Sequence, residues 1–465
     1  MLKSKQGAHD LEQLTIKRFL ATRWSTLIYA VREWAFFESV SIRAFLGAAS
    51  MVGGLLLLLS GRGVRGAEFL ARAHRGDFHP AVSRLAERLF RKAIAGEGGW
   101  VTKQLRDAIL RYPNEIRPTS HTQRFFDDPQ RLLSGCALVV KSPTESERGV
   151  LYLYYSYVYP LILKKFDIEA IEKRYHIVVE PSWSGYCDLN ILCLTALKNP
   201  VFVGSIEPRD TKFLESTGAG LIPVYVGGNT WIDAGIFKPL PGIPKDIDLI
   251  YIGSWAAYKR HWALFKALSI IKQRGRRVRV ALVGYPIDLS IQRILEQAKA
   301  FGVGDLVEFY EKLTPTEVNE LLNRSKVNVL WSRREGVNRA IIEGMAAGTP
   351  CIVRRGFNYG YHYPYINAKS GCFATENQLP DAIVEMLERH ESMTPRDSVV
   401  PVMTPEASTQ RLNDAIKRTA LALGETWTKD IAVRVGTIHG LGYRTPEEKS
   451  LFSQDYAFLA STIVP

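Results

Sequence analysis

The chain reads as an α/β protein: two open parallel-sheet domains in series, behind a helical N-terminal region. Three observations lead there. Short β-rich runs alternate with helical patterns twice over. Pro239, Pro241 and Pro244, with Gly242, separate the two series, and the texture before residue 136 is helical. Alternation at this spacing implies parallel sheets covered on both faces, because parallel neighbours need a crossover between them. At 465 residues the chain is about three domain lengths. With 46% hydrophobic and 23% charged residues it has the composition of a folded protein, which excludes a largely disordered chain.

Residues 1–135 form the first region, expected as a basic helical extension. Segments 15–37 and 81–95 repeat apolar residues every three or four positions, the period of an amphipathic helix. Between them, 44–61 reads AFLGAASMVGGLLLLLSG, with no charge between Arg43 and Arg62. At about 1.5 Å per residue such a helix just reaches across a hydrocarbon core. One reading is a buried soluble helix, packed closely through Gly47, Gly53 and Gly54. The other is a membrane segment, spanning or in-plane. The flanks favour the membrane: Arg62, Arg65, Arg72 and Arg75 follow, and Trp24, Tyr29, Trp34, Phe36 and Phe37 precede. The segment starts too late for an ordinary signal peptide.

The charge has the same address. Of the formal +13, residues 1–135 carry +9 and the remainder is close to neutral. A basic excess beside an apolar segment fits an anionic membrane surface better than nucleic acid, and nucleic acid is not an expected partner. The aromatic run 357–365 lacks the interleaved Lys and Arg of a nucleic-acid surface; it reads as a packed loop or as one closing over substrate. Cys136, Cys187, Cys193, Cys351 and Cys372 are odd in number and show no zinc spacing, so reduced thiols in the cytosol are expected. The expected location is the cytoplasmic face of a membrane, peripheral or anchored.

The first α/β domain, residues 136–240, has strands expected at 136–141, 149–156, 175–182, 200–205 and 220–228, with a helix over 188–198. The second, residues 245–390, has strands expected at 247–254, 277–286, 306–311, 327–332 and 350–355, with helices between or after them. Residues 391–465 read as a Pro-punctuated helical tail. Two such domains joined by a Pro-rich hinge suit a ligand held between them.

The informative stretch is 332–350, SRREGVNRAIIEGMAAGTP. A strand ends at Ser332, then Glu335, Gly336, Val337 and Asn338 turn into a helix carrying Glu343. Gly336 lets backbone N–H groups approach a ligand's oxygens, and the helix N-terminus favours its anionic part. By spacing alone, two exposed glutamates on an amphipathic helix explain the pattern equally well.

Glu335 and Glu343, with the following Gly-Met-Ala-Ala-Gly-Thr-Pro, resemble the E-x₇-E signature of glycosyltransferase family 4. Tyr251-Ile252-Gly253-Ser254-x₄-Lys259 resembles the family's V-G-R-x₄-K, Val283-Gly284 its next V-G turn, and Val307-Glu308-Phe309 the strand after that. The resemblance implies a GT-B fold of two Rossmann-like domains facing a cleft, and sugar transfer from a nucleotide-sugar donor with retention of configuration. The acceptor it implies is a glycan, a lipid-linked sugar or a polysaccharide. By resemblance Lys259 neutralises the donor diphosphate, Glu343 holds ribose hydroxyls and Glu335 a sugar hydroxyl at the reacting end. The nucleotide sugar is a substrate, and the motif requires neither cofactor nor metal. Two positions depart from the pattern. Ser254 replaces an arginine, for which Arg260 or Arg333 can substitute, and Asn338 replaces a glycine and leaves an amide at the donor site.

On the acceptor side, Trp183 and Tyr186 suit stacking on a sugar and Asp188 suits orienting a hydroxyl; the alternative is an N-cap aspartate beside packed aromatics. Asp246 and Asp248 precede their strand rather than following it, which argues against a metal-binding D-x-D pair. His176 and His261 read as structural. A rival reading, favoured by Ser254, is a non-catalytic GT-B-like subunit that binds sugars or scaffolds a polysaccharide-assembly complex.

Overall fold

Both expected series of strands form sheets, in a computed structural model that describes residues 15–120, 122–218, 220–356, 362–437 and 440–464. The chain parts into two compact units. One comprises residues 35–231 and 405–465; the other comprises the described residues up to Trp34 and residues 232–404.

The first unit holds β1 (Ala137–Lys141), β2 (Gly149–Tyr154), β3 (Tyr175–Glu180), β4 (Val201–Gly204) and β5 (Leu221–Val224), in that spatial order. β2 to β5 are parallel, but β1 runs antiparallel to β2. The reason is the link over 142–148, too short for a crossover. The expected helix over 188–198 is instead a single turn, Leu189–Leu192, followed by a 3₁₀ turn, Cys193–Ala196. One sheet face, with Val139, Leu151, Leu153, Ile177 and Val179, shares a core with helices Val40–Leu59, Gly63–Arg75, Pro80–Ala95 and Trp100–Glu115. The other face, with Val140, Tyr152, Val178 and Phe202, packs under helix Pro405–Ala422. His176 lies buried there; burial and nearby Arg148 push its pKa down to about 4, so it stays neutral. A two-stranded hairpin, β12 (Arg434–Thr437) and β13 (Gly440–Tyr443), comes later in the chain.

Helix Val40–Leu59 contains most of the apolar segment. By length and composition it is long and apolar enough to cross a membrane. Its glycines serve one side: a Cβ on Gly54 would stand 2.7 Å from Leu70 and 3.0 Å from the Gly66 carbonyl, and a Cβ on Gly66 would meet the Gly54 carbonyl at 2.8 Å. That side packs on helix Gly63–Arg75. The opposite side, with Phe45, Val52, Leu56 and Leu59, is exposed.

The second unit is a six-stranded parallel sheet of β6 (Ile247–Ile252), β7 (Val280–Gly284), β8 (Val307–Glu311), β9 (Ser325–Leu330), β10 (Cys351–Arg354) and β11 (Gly371–Ala374). Its order is β11-β10-β9-β6-β7-β8, so β6 and β9 are neighbours although some 70 residues separate them. That reversal beside β6 is a topological switch point, where loops at the strands' carboxyl ends part and leave room for a ligand. The order therefore sets Gly253–Lys259 beside 331–338. β11 was not anticipated: Gly-Cys-Phe-Ala is too short to show a period. The aromatic run is described only from His362, and 357–361 lie outside the described residues.

Candidate active site

Two glycines bring the ends of β6 and β7 together. Gly253 donates its N–H to the Val283 carbonyl at 2.9 Å. A Cβ on Gly284 would lie 2.2 Å from the Gly253 carbonyl oxygen and 3.1 Å from the Trp255 ring. A Cβ on Gly253 would press on the Lys259 stem at 3.3 Å. Ser254 is buried beside them. The chain then makes one 3₁₀ turn, Ala257–Lys259, and Arg260 takes a left-handed conformation at φ +57 before helix His261–Gln273.

From that turn Lys259 reaches across to the loop after β9. Its Nζ donates to Glu335 Oε1 at 2.7 Å, with both side chains under 10% exposed. The loops are also tied through backbone, since Arg333 N–H donates to the Tyr258 carbonyl at 2.8 Å. Residues 76 apart in sequence thus meet because their strands are neighbours. A buried, matched cation and carboxylate at the carboxyl ends of adjacent parallel strands sit where such a sheet binds ligands, and can be offered to an anionic group and a hydroxyl.

Asn338 opens helix Arg339–Ala346 as its N-cap: Oδ1 accepts from the Ile341 N–H at 2.9 Å. The capping bond engages the oxygen of the amide expected at the donor site. Glu343 lies inside this helix, facing Arg339 at 3.3 Å, and burial raises its carboxyl above the ordinary range. Gly336 is buried and Val337 partly so in the turn before the cap.

The two arginines proposed to replace the one missing at Ser254 are already engaged. Arg260, 2% exposed, donates from Nε to Glu33 at 2.6 Å and from Nη2 to Glu376 at 2.5 Å. Arg333 Nη1 lies 3.7 Å from Glu33. Glu33 ends helix Ile16–Glu33, which packs on this unit. Sequence reasoning missed both carboxylates: Glu33 is 227 residues from Arg260, and the only signal was a glutamate on the same helical stripe as Thr22 and Thr26. His261 is buried between the Tyr251 and Trp255 rings, and burial with nearby Lys259 pushes its pKa down to about 3, so it is a neutral packing residue.

Asp246 and Asp248 sit at the opposite end of β6. Asp246 pairs with Arg324 at 2.7 Å and Asp248 with Lys326 at 2.7 Å. Among the described residues no group of three or more His, Cys, Asp or Glu is placed to hold a metal ion.

In the other unit the 181–188 loop is fixed by Asp210, whose carboxylate accepts from Gly185 N–H at 2.7 Å and Tyr186 N–H at 2.9 Å. Tyr186 is buried, its hydroxyl donating to the Gly204 carbonyl at 2.7 Å. Asp188 caps its short helix by accepting from Asn190 N–H at 3.0 Å, and it pairs with Arg75. Of these three acceptor-side residues, Trp183 alone presents a largely exposed ring.

With this geometry in place, comparison with known proteins is specific about one region. Residues 236–398 match the family model of glycosyl transferases group 1. The group 1 region therefore begins just before β6, ends after β11 and contains Lys259, Glu335 and Glu343. Solved structures similar to part of the chain include a sucrose-phosphate synthase from Thermosynechococcus elongatus, at 17% identity over 58% of this chain and 73% of that one, with a TM-score of 0.47. Anabaena HepE in complex with UDP and glucose is similar at 14% identity over 57% and 78%, with a TM-score of 0.45. The lipopolysaccharide outer core galactosyltransferase WaaB is similar at 17% over 54% and 70%, with a TM-score of 0.42. No curated protein matches the sequence.

Proposed function

We propose that the protein is a retaining glycosyltransferase of the GT-B type, moving a sugar from a nucleotide-sugar donor to a glycan, lipid-linked or polysaccharide acceptor. The observation that carries this is the Lys259–Glu335 contact of 2.7 Å at the carboxyl ends of β6 and β9, inside the group 1 region. In the proposed reaction the bond between the sugar's anomeric carbon and the diphosphate oxygen breaks, and its electron pair leaves with the diphosphate. Lys259 and backbone N–H groups meet that growing negative charge, the stabilisation a fixed low-dielectric site supplies best. Glu335 accepts a hydroxyl of the donor sugar and Glu343 the ribose hydroxyls. The acceptor oxygen attacks from the face the diphosphate leaves, and its proton passes to the departing phosphate oxygen. No metal or cofactor enters this scheme.

The buried Glu343 carboxyl gives the scheme a pH signature. A carboxylate accepts ribose hydroxyls; its protonated form loses an acceptor. Because burial raises its pKa, donor KM is expected to climb on acidification at a pH above the ordinary carboxylate range. Glu343→Gln should carry a high donor KM that no longer changes over that window, measured by initial rates.

The proposed setting is the cytoplasmic face of a membrane. Its support is helix Val40–Leu59, apolar and exposed along one side, with Arg62, Arg65 and Arg72 close behind it. The rival reading, a non-catalytic sugar-binding or scaffold subunit, draws on Ser254 and on the engagement of Arg260 by Glu33 and Glu376. Proton NMR of the products from a nucleotide-sugar panel tests the proposal. A product with the donor's anomeric configuration supports it, inversion contradicts retention, and sugar binding without turnover favours the subunit.

A further inference from the structure

Helix Ile16–Glu33 is docked inside out. Soluble helices bury their apolar stripe and expose their polar one. Here Thr22 (0% exposed), Thr26 and Glu33 are buried, while Leu20 (60%) and Trp24 (65%) stand in solvent with Ile16, Leu27, Ile28 and Val31. The exposed residues follow at spacings of four, four, three and four along 16, 20, 24, 27 and 31, with Ile28 adjoining. At about 100° per residue they form one continuous stripe, opposite the buried face.

The buried face is held by polar contacts, which fix the orientation. Arg293 donates to Ser25 Oγ at 2.7 Å and to Thr22 Oγ1 at 3.4 Å, Arg23 stacks over Phe301 at 4.7 Å, and Glu33 receives Arg260. None of these contacts consumes the apolar stripe. Among the described residues nothing covers the stripe, and an apolar stripe of this size on a soluble surface marks a docking face.

The surroundings select the occupant. Lys17 lies within the stripe and Arg32 just beyond its edge, and the helix's one acidic residue, Glu33, is buried and paired. Trp24 and Trp34 supply rings suited to a headgroup boundary, and the next α-helix in the chain is the apolar Val40–Leu59. Apolar stripe, basic residues and tryptophans together are the signature of a helix lying in the plane of an anionic bilayer surface.

We infer that helix Ile16–Glu33 is an in-plane membrane helix, seated stripe-down in the interface of an anionic bilayer. Through Glu33 on Arg260 and Arg333 it fixes the group 1 region to that surface. The inference deepens the membrane-surface part of the proposed function and does not depend on the transfer chemistry. It adds a second membrane element, distinct from Val40–Leu59, on the unit that carries Lys259 and Glu335.

The test reads this helix alone. Single cysteines replace Leu20, Trp24 or Leu27 in the full chain with Cys372→Ser, since the other four native cysteines are buried. Each is spin-labelled and mixed with vesicles of phosphatidylglycerol and phosphatidylcholine. Vesicle flotation is measured alongside collision rates with oxygen and with a water-soluble nickel chelate. The expected result is flotation, with the oxygen-to-nickel ratio rising several-fold at all three positions. In Trp24→Glu/Leu27→Glu, the label at position 20 should need roughly 100-fold more lipid for the same rise. Flotation with the labels still in water overturns the role of this helix and leaves a membrane protein held elsewhere. Failure of the unlabelled protein to float overturns the membrane reading itself. Spin–spin broadening without vesicles identifies the stripe as a contact between copies of the chain and overturns the inference as well.

Discussion

Lys259→Met should lower sugar transfer by at least ~100-fold, the scale on which a fixed electrostatic stabiliser of a leaving group acts. The variant also takes the Lys259 cation away from Glu335, whose side chain is 7% exposed. Removing one partner of a buried ion pair costs about 3–5 kcal/mol, so a fall in melting temperature is expected with the loss of activity. The two effects separate in Lys259→Met/Glu335→Gln. Neutral groups of similar volume remove both charges of the pair, so most of the lost stability should return while transfer stays absent. Thermal melting and product formation, measured on wild type and both variants, check this. Recovery of activity with stability would mean that the pair only ties two loops together.

Gly284→Ala should be nearly as damaging, by a different route. The added methyl would sit 2.2 Å from the Gly253 carbonyl oxygen, far inside contact distance, and the obstacle is backbone that no rotamer change can move. Either the loops after β6 and β7 separate or the variant is strained. Separation would carry Gly253 and the Lys259 turn away from Glu335. Overpacking of this kind costs roughly 1–3 kcal/mol or more, and donor affinity should fall with it. Gly275→Ala is the control: Gly275 lies in the loop before β7, and nothing lies within 4 Å of an added Cβ, so only its positive φ is penalised. Nucleoside diphosphate titration and thermal melting of both variants give the comparison. Wild-type affinity and stability in Gly284→Ala would show that these loops need no close approach.

The parts of the molecule legible in the sequence are those governed by local pattern. Ten strands announce themselves through short β-branched runs, and the Glu335–Glu343 spacing marks a loop-to-helix turn that the fold contains. What escaped depends on partners far along the chain. The reversal of β1 was available from the brevity of 142–148, but strand texture alone does not carry direction. The periodicity of residues 15–37 displays two stripes without saying which is buried; the answer lies in Arg260 and Arg293, more than 200 residues away. Asn338 and Asp188 each cap a helix, and for Asp188 that cap is one of the two readings the sequence leaves open. Ser254 marks a missing cation, but only the fold shows Arg260 held by Glu33 and Glu376.

The central claim is that Lys259 and Glu335 serve the departure of a nucleoside diphosphate. Its most direct measurement is nucleoside diphosphate release from a panel of nucleotide sugars, with membrane-derived glycan and lipid acceptors, by wild type and by the folded Lys259→Met/Glu335→Gln protein. The account predicts release from at least one donor by wild type and none above background by the variant. Release at the wild-type rate from the variant, or from no donor by either protein, would contradict it.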